Sequence, residues 1–287
     1  MTATLTPSGA PSAHAAPTGS AKAGRRRPPW LTMWAVIALA YLFLPILVIV
    51  IFSFNAPPGR YNYAWGKFSF DAWLHPFDDP DLASGFRLSL RIAALATLIS
   101  TVLGTAMSLA LVKYRFTGKR WVNTLLVLPL TMPEVVLGFS LLTLFVAMSG
   151  VFTLGFWTIL IAHVMFSVSY VATTLKARVR GFNWTLEEAA ADLGAAPLRT
   201  FRKVTLPLIA PGVFAAALLT FALSLDDFTI SYLNAGTAQT FPITIWLKKR
   251  SSIPPQINVF GTMVLLASAA LAGIGLFVQR RRESALV

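Results

Sequence analysis

Six stretches of this chain are long and apolar enough to cross a bilayer, at about 31–53, 88–112, 121–147, 154–175, 207–225 and 257–278. A helix needs about 20 apolar residues to span the hydrocarbon core. Water does not reach that depth, so backbone amides and carbonyls must pair within the segment, and each run is predicted to be a helix. A closed barrel would instead show alternating segments of about ten residues, and the chain has no such pattern. The expectation is an all-α membrane protein of about six transmembrane helices over residues 30–282.

Between the fourth and fifth runs the pattern changes. Residues 176–206 are polar and charged. Thr185 and Glu188 have the spacing of a capping box, in which each side chain satisfies the other's backbone amide. Leu186, Ala189, Ala190 and Leu193 then fall at i, i+3, i+4 and i+7, one stripe of a helix. Gly194 stands where a left-handed residue ends a helix. Pro197 suits the first turn of a second short helix, and Leu206-Pro207 open the fifth membrane helix. The loop is therefore predicted to be two short helices about a glycine turn. Such a knob suits insertion into a cleft on another protein. A hairpin lying on the membrane surface is the competing reading.

Composition agrees with a membrane location. The chain is 56% hydrophobic and 12% charged, whereas soluble domains carry about 25% charged residues. Its net charge of +13 follows from topology. With the N-terminus inside, most Lys and Arg residues fall in the inner segments, at 22–27, 113–120, 176–203 and 280–282, as the positive-inside rule requires. Nucleic-acid binding is not needed to explain the charge. The Lys248–Arg250 run is an exception that the rule does not explain. Both termini are expected to be cytoplasmic. Residues 1–29, rich in Ala, Pro, Ser, Thr and Gly, read as a disordered cytoplasmic tail. The first apolar run exceeds a signal peptide's core and reads as a retained helix.

Several chemistries are excluded by what the chain lacks. There are no cysteines, hence no disulfide or thiolate metal site. No phosphate loop is present, since Gly118-Lys119 lacks both the upstream glycine and the following Ser or Thr. The metalloprotease and nucleophile-elbow motifs are absent too. No catalytic residue, cofactor or metal is expected, and any ATP hydrolysis must belong to a partner. The remaining candidates are carboxylates. Glu134 lies inside the third apolar run, where a charge is costly unless paired, hydrated or protonated. Asp226 and Asp227 close the fifth run. At a pore mouth such groups would attract a cation, although Asp227 could equally cap the next helix. His163, in the fourth run, reads as a hydrogen-bonded core residue.

Glu188-Ala189-Ala190, three residues, Gly194, nine residues, then Val204-Thr205-Leu206-Pro207 resembles the EAA loop of ABC importer permeases. Val204 replaces that pattern's isoleucine. The segments Pro129–Glu134, Ala162–Val164 and Leu223–Phe228 are similar to the spermidine/putrescine permease branch, in particular its putrescine-type second subunit. The resemblance covers about residues 30–280. It implies a permease subunit of an ATP-driven importer for a polyamine, and cytoplasmic coupling helices in which Glu188, Ala189, Ala190 and Gly194 meet an ATPase. It further implies a second homologous permease and a soluble substrate-binding protein outside. The family's loop is shared with permeases for other substrates such as ferric iron. A secondary transporter working alone is the remaining alternative.

Overall fold

The computed structural model describes residues 29–284; the expected tail, 1–29, lies outside them apart from Pro29. The chain divides into two units, one ending at Leu47 and one starting at Val48. Helix α1 (Pro29–Phe52) supplies the described part of the first. None of the described side chains of α1 is buried. A helix that is apolar all round belongs in a membrane rather than on a soluble surface.

In the second unit, a short antiparallel ribbon joins β1 (Asn55–Ala56) to β2 (Lys67–Phe68), with Asn55 opposite Phe68. Asn55 Nδ2 donates to Asn62 Oδ1 at 2.6 Å and to the Ala64 carbonyl at 2.8 Å, which ties the ribbon's connection down. Phe54 stacks on Phe68 and Trp73, so several aromatics of this segment pack on one another. Helix α2 (Asp71–Leu74) follows, and then α3 (Pro80–Lys113). The second membrane helix thus begins eight residues before the apolar run expected at 88. Asp79 caps it, accepting from the amides of Asp81 and Leu82, and Pro80 opens its first turn. Ser84 and Arg87 in the early turns conceal that start from hydropathy.

The third apolar run, expected as one helix over 121–147, is two. Helix α4 (Lys119–Thr131) and α5 (Glu134–Ala147) meet at 111° across Met132-Pro133. Proline offers no amide hydrogen, and its ring pushes the preceding residue out of helical geometry. Met132 is accordingly extended, at φ −79° and ψ 142°. The Pro133 carbonyl then accepts from Val136 and Leu137 and starts α5 afresh.

The remaining elements are α6 (Phe156–Arg180), α7 (Thr185–Asp192), α8 (Pro197–Thr200), a π-helical turn (Phe201–Thr205), α9 (Leu206–Asp226), α10 (Thr229–Asn234), α11 (Phe241–Lys248) and α12 (Gln256–Ser284). Among the described residues, four helices are long and apolar enough to cross a membrane, or five if α4 and α5 form one broken span. The sixth run falls within α12, whose apolar part is described over Gln256–Ala270.

The three helices α3, α6 and α9 pack on one another and form the frame. Their contact is made by small side chains. On α3, Ser89, Ala93, Ala96, Ser100, Gly104 and Ser108 are all buried, mostly four residues apart. In lipid, helices gain little from excluding water, so close backbone approach and dispersion hold them together. At Gly104 a Cβ would lie 2.6 Å from Val171 Cβ on α6. Helix α5 packs on α10, and α11 on α3. Lys248, one of the three residues of the exceptional Lys248–Arg250 run, ends α11 and pairs with Asp79 at 2.8 Å and Asp81 at 3.0 Å. The charge of Lys248 is thus answered locally.

A Gly104→Val substitution should force α3 and α6 apart. A melting curve of the detergent-purified protein is expected to show destabilisation on the scale of ~1–3 kcal/mol for overpacking, whereas Leu103→Val on the exposed face should leave the midpoint in place.

Candidate functional site

Two features stand at the two ends of α9. The first is the loop from α7 to the π-helical turn. Gly194 has φ +78°. Around it, the Ala195 amide donates to the Ala190 carbonyl and the Gly194 amide to that of Ala191, a Schellman closure that only a left-handed residue permits. The glycine turn between α7 and α8 is thus built as the sequence predicts.

The start of α7 is not. Thr185 and Glu188 form no capping box. The Glu188 amide already donates to the Trp184 carbonyl at 3.3 Å, which makes Thr185 the first helical residue rather than the cap. Asn183 takes the capping role, its Oδ1 accepting from the Thr185 amide at 3.1 Å and hydroxyl at 2.7 Å.

No residue of α7 is buried. Leu193 is 89% exposed, Leu198 69% and Leu186 44%, and Glu188 and Ala189 are exposed as well. The expected stripe is therefore real as a periodicity, but among the described residues Leu186, Ala189 and Leu193 are exposed and only Ala190 is half-buried. Adjacent Glu187 behaves in the opposite way. Its Oε2 accepts from Lys113 Nζ at the end of α3, and its Oε1 accepts from the Thr205 hydroxyl in the π-helical turn. Burial alone would raise the Glu187 carboxyl. The bonds from Lys113 and Thr205 and the Lys113 charge outweigh it and hold the group below its ordinary value of 4.5. Leu206 and Pro207 open α9 directly after that turn.

The second feature is a cavity of ≈ 240 Å³ lined by Glu134, Asp226, Asp227, Met132, Phe166 and Tyr170, among others. Three elements bring the carboxylates together. Glu134 stands in the first turn of α5, beyond the break, where the positive end of the helix dipole favours an anion. The break thus moves it from the middle of a helix to the start of one. Asp226 is the last residue of α9 and is exposed. Asp227 turns away from water, and its side chain is 6% exposed. It accepts from the amides of Ile230 at 3.3 Å and Ser231 at 2.7 Å, at the start of α10. Its Oδ2 also lies 3.3 Å from His163 Nε2. His163 is buried, with Nδ1 2.7 Å from Ser224 Oγ and Nε2 2.9 Å from Ser231 Oγ. One imidazole therefore joins α6, α9 and α10 behind the cavity.

Residues 100–284 match the family described as binding-protein-dependent transport system inner membrane component. The putrescine transport system permease protein PotI of Escherichia coli is 36% identical over 263 residues, 90% of this chain and 93% of that protein. The spermidine/putrescine transport system permease protein PotC of Haemophilus influenzae is 35% identical over 248 residues, 86% and 95% of the two chains. This chain belongs to the inner membrane components of binding-protein-dependent transport systems.

Solved structures agree on the fold. A bacterial ABC transporter involved in import of the polysaccharide alginate superposes with TM-score 0.63 over 92% of this chain and 99% of its own, at 15% identity. The inward-facing methionine ABC transporter gives 0.56 over 73% and 99%, at 17% identity. This inner membrane component is a multi-pass membrane protein, and its relatives are named as transport permeases, as the sequence reading expected.

Sequence reasoning singled out Glu188 and passed over Glu187, whose partners are 74 and 18 residues away in the chain. The roles of Ser224 and Ser231 were hidden for the same reason. A lowered Glu187 value means that its bonds contribute fully above the unfolded value and are lost as pH falls through the folded one. Hydrogen-exchange protection across α7, taken relative to the intrinsic amide rate at each pH, is therefore expected to hold at neutral pH and to fall as the pH drops below about 4.5. In Glu187→Gln that acid step should disappear.

Proposed function

We propose that this permease component carries a polyamine, putrescine or spermidine, through an ATP-driven importer, with the α7–α8 loop docking a separate ATPase. In this reading both termini and the loop are cytoplasmic, a second homologous permease completes the pathway, and a soluble binding protein delivers substrate outside. The observation that carries it is the loop: a rigidly turned, apolar knob with Leu193 and Leu198 bare, in a chain without a phosphate loop of its own. Glu188, Ala189, Ala190 and Gly194 supply the contact and the turn, while Leu206 and Pro207 join it to α9. Small side chains there permit close approach, the requirement of helix-in-groove recognition. Closure of the ATPases on ATP would move the loop and switch the cavity between its inward and outward openings. The substrate crosses without covalent change.

The cargo is read from the cavity and the relatives' names. Glu134, Asp226 and Asp227 concentrate negative charge at the wall, beside Phe166 and Tyr170. Carboxylates draw in an ammonium group, and aromatic faces hold it by cation–π attraction. The similarity to the putrescine and spermidine/putrescine permeases supports an amine over other cations.

Affinity purification of the full complex tests the docking. The ATPase is expected to co-purify with the native chain and to be lost with Glu188→Arg or Gly194→Pro; its retention in both would sink the docking reading. Radiolabelled uptake tests the cavity. Glu134→Gln and Asp226→Asn should each lower putrescine uptake by about tenfold, the scale of a lost charge-assisted hydrogen bond. Undiminished uptake in both would overturn the role of these carboxylates in the pathway, and displacement by ferric ion rather than spermidine would overturn the polyamine assignment.

A further inference from the structure

We propose that Glu187 is the strut through which movement of the docking loop reaches the membrane helices. It is a positioning residue that couples α7 to α3 and α9, and the inference rests on the reading that the loop docks an ATPase. The case starts from what does not hold α7. The helix fully buries no side chain, so apolar packing gives it little grip on the membrane helices. Beyond the chain itself, Glu187 supplies its polar ties to the membrane helices among the described residues. The two carboxylate oxygens are divided between two elements. Oε2 takes the Lys113 ammonium, on the last residue of α3, and Oε1 takes the Thr205 hydroxyl, one residue before α9.

An exposed ion pair on its own would be worth little. This one is anchored on both sides. Thr205 is 1% exposed, and Lys113 also lies 5.3 Å over the ring of Trp184, which packs edge-on to Phe182. A displaced α7 must therefore pull both helix ends or break charge-assisted bonds. Helix α9 then runs without interruption from Leu206 to Asp226, so its far end carries a cavity carboxylate. Neighbouring residues divide the work. Glu188 faces outward toward a partner, and Glu187 faces inward toward the frame.

The test separates docking from coupling in the assembled complex with its ATPase and binding protein in proteoliposomes. With Glu187→Ala, the ATPase should still co-purify at the native ratio and hydrolyse ATP within about twofold of native, while substrate transported per ATP falls about tenfold, as for the loss of a charge-assisted bond. The Lys113→Glu, Glu187→Lys double variant should recover part of that ratio, which a purely local packing defect would not. Thr205→Val, which keeps the charge pair, should show a smaller loss. The proposal is overturned if Glu187→Ala releases the ATPase, if uptake and hydrolysis fall together, or if transport per ATP is unchanged. Retention of the ATPase by Gly194→Pro and Glu188→Arg would instead defeat the docking reading itself.

Discussion

A backbone amide or carbonyl buried in hydrocarbon must find a partner within the protein, and proline removes one amide from every helix it enters. Two prolines convert that constraint into the architecture of both functional features. Pro133 ends α4 and lets α5 restart at a 111° angle, which carries Glu134 from mid-helix to a helix start beside the cavity. Pro207 acts at the other end. Its missing amide and its ring disturb the turn before it, which widens to a π turn in which the Leu206 amide reaches back to the Phe201 carbonyl. Thr205 lies in that turn, buried and within reach of Glu187. The break at Pro133 adjoins the cavity, where irregular backbone is tolerated, and the π turn lies in the loop just before α9.

The regular part of the structure makes those irregularities useful. Small residues from Ser89 to Ser108 let α3 approach α6 closely along five turns, and Gly104 marks the tightest point. Interiors packed this closely move as blocks rather than deforming smoothly. A frame of that kind can carry a displacement from the loop to the carboxylates at the far end of α9. Helix α9 embodies the connection, since one terminus follows Thr205 and the other is Asp226.

What the chain disclosed in advance followed from the range of the interaction. The membrane helices depend on composition within a run, and the runs were legible. So was Gly194, because a left-handed turn is set by one residue and its neighbours. The break at Pro133 was also written locally, yet averaging hydropathy across 121–147 hid it, since the segments on both sides are apolar. Asn183 displaced Thr185 as the cap by a shift of one turn boundary, a difference that spacing alone does not resolve. Glu187 and His163 lay further out of reach. Their meaning comes from Lys113, Thr205, Ser224, Ser231 and Asp227, which only the fold brings near. Of the two sequence alternatives for Asp227, a cation-pathway role or capping of the next helix, the structure shows the capping, in a side chain that also lines the cavity.

The three cavity carboxylates are for that reason not equivalent. Asp227 has its oxygens engaged by two backbone amides and approached by His163, so little of its charge is left to seek a cation. Glu134, exposed as well, has no such tie among the described residues but sits at the N-terminal end of α5, where the helix dipole already favours an anion. Asp226 has neither advantage. It stands at the C-terminal end of α9, the negative end of that helix's dipole, and it is exposed. Of the three it gains most from an incoming ammonium group, and removing its charge weakens cation capture more than it disturbs the fold. Asp227 reverses that balance, because taking it away strands a buried imidazole and two amides. On the proposed reading the wall therefore combines a structural acid, a dipole-stabilised acid and one acid that has no counter-charge among the described residues.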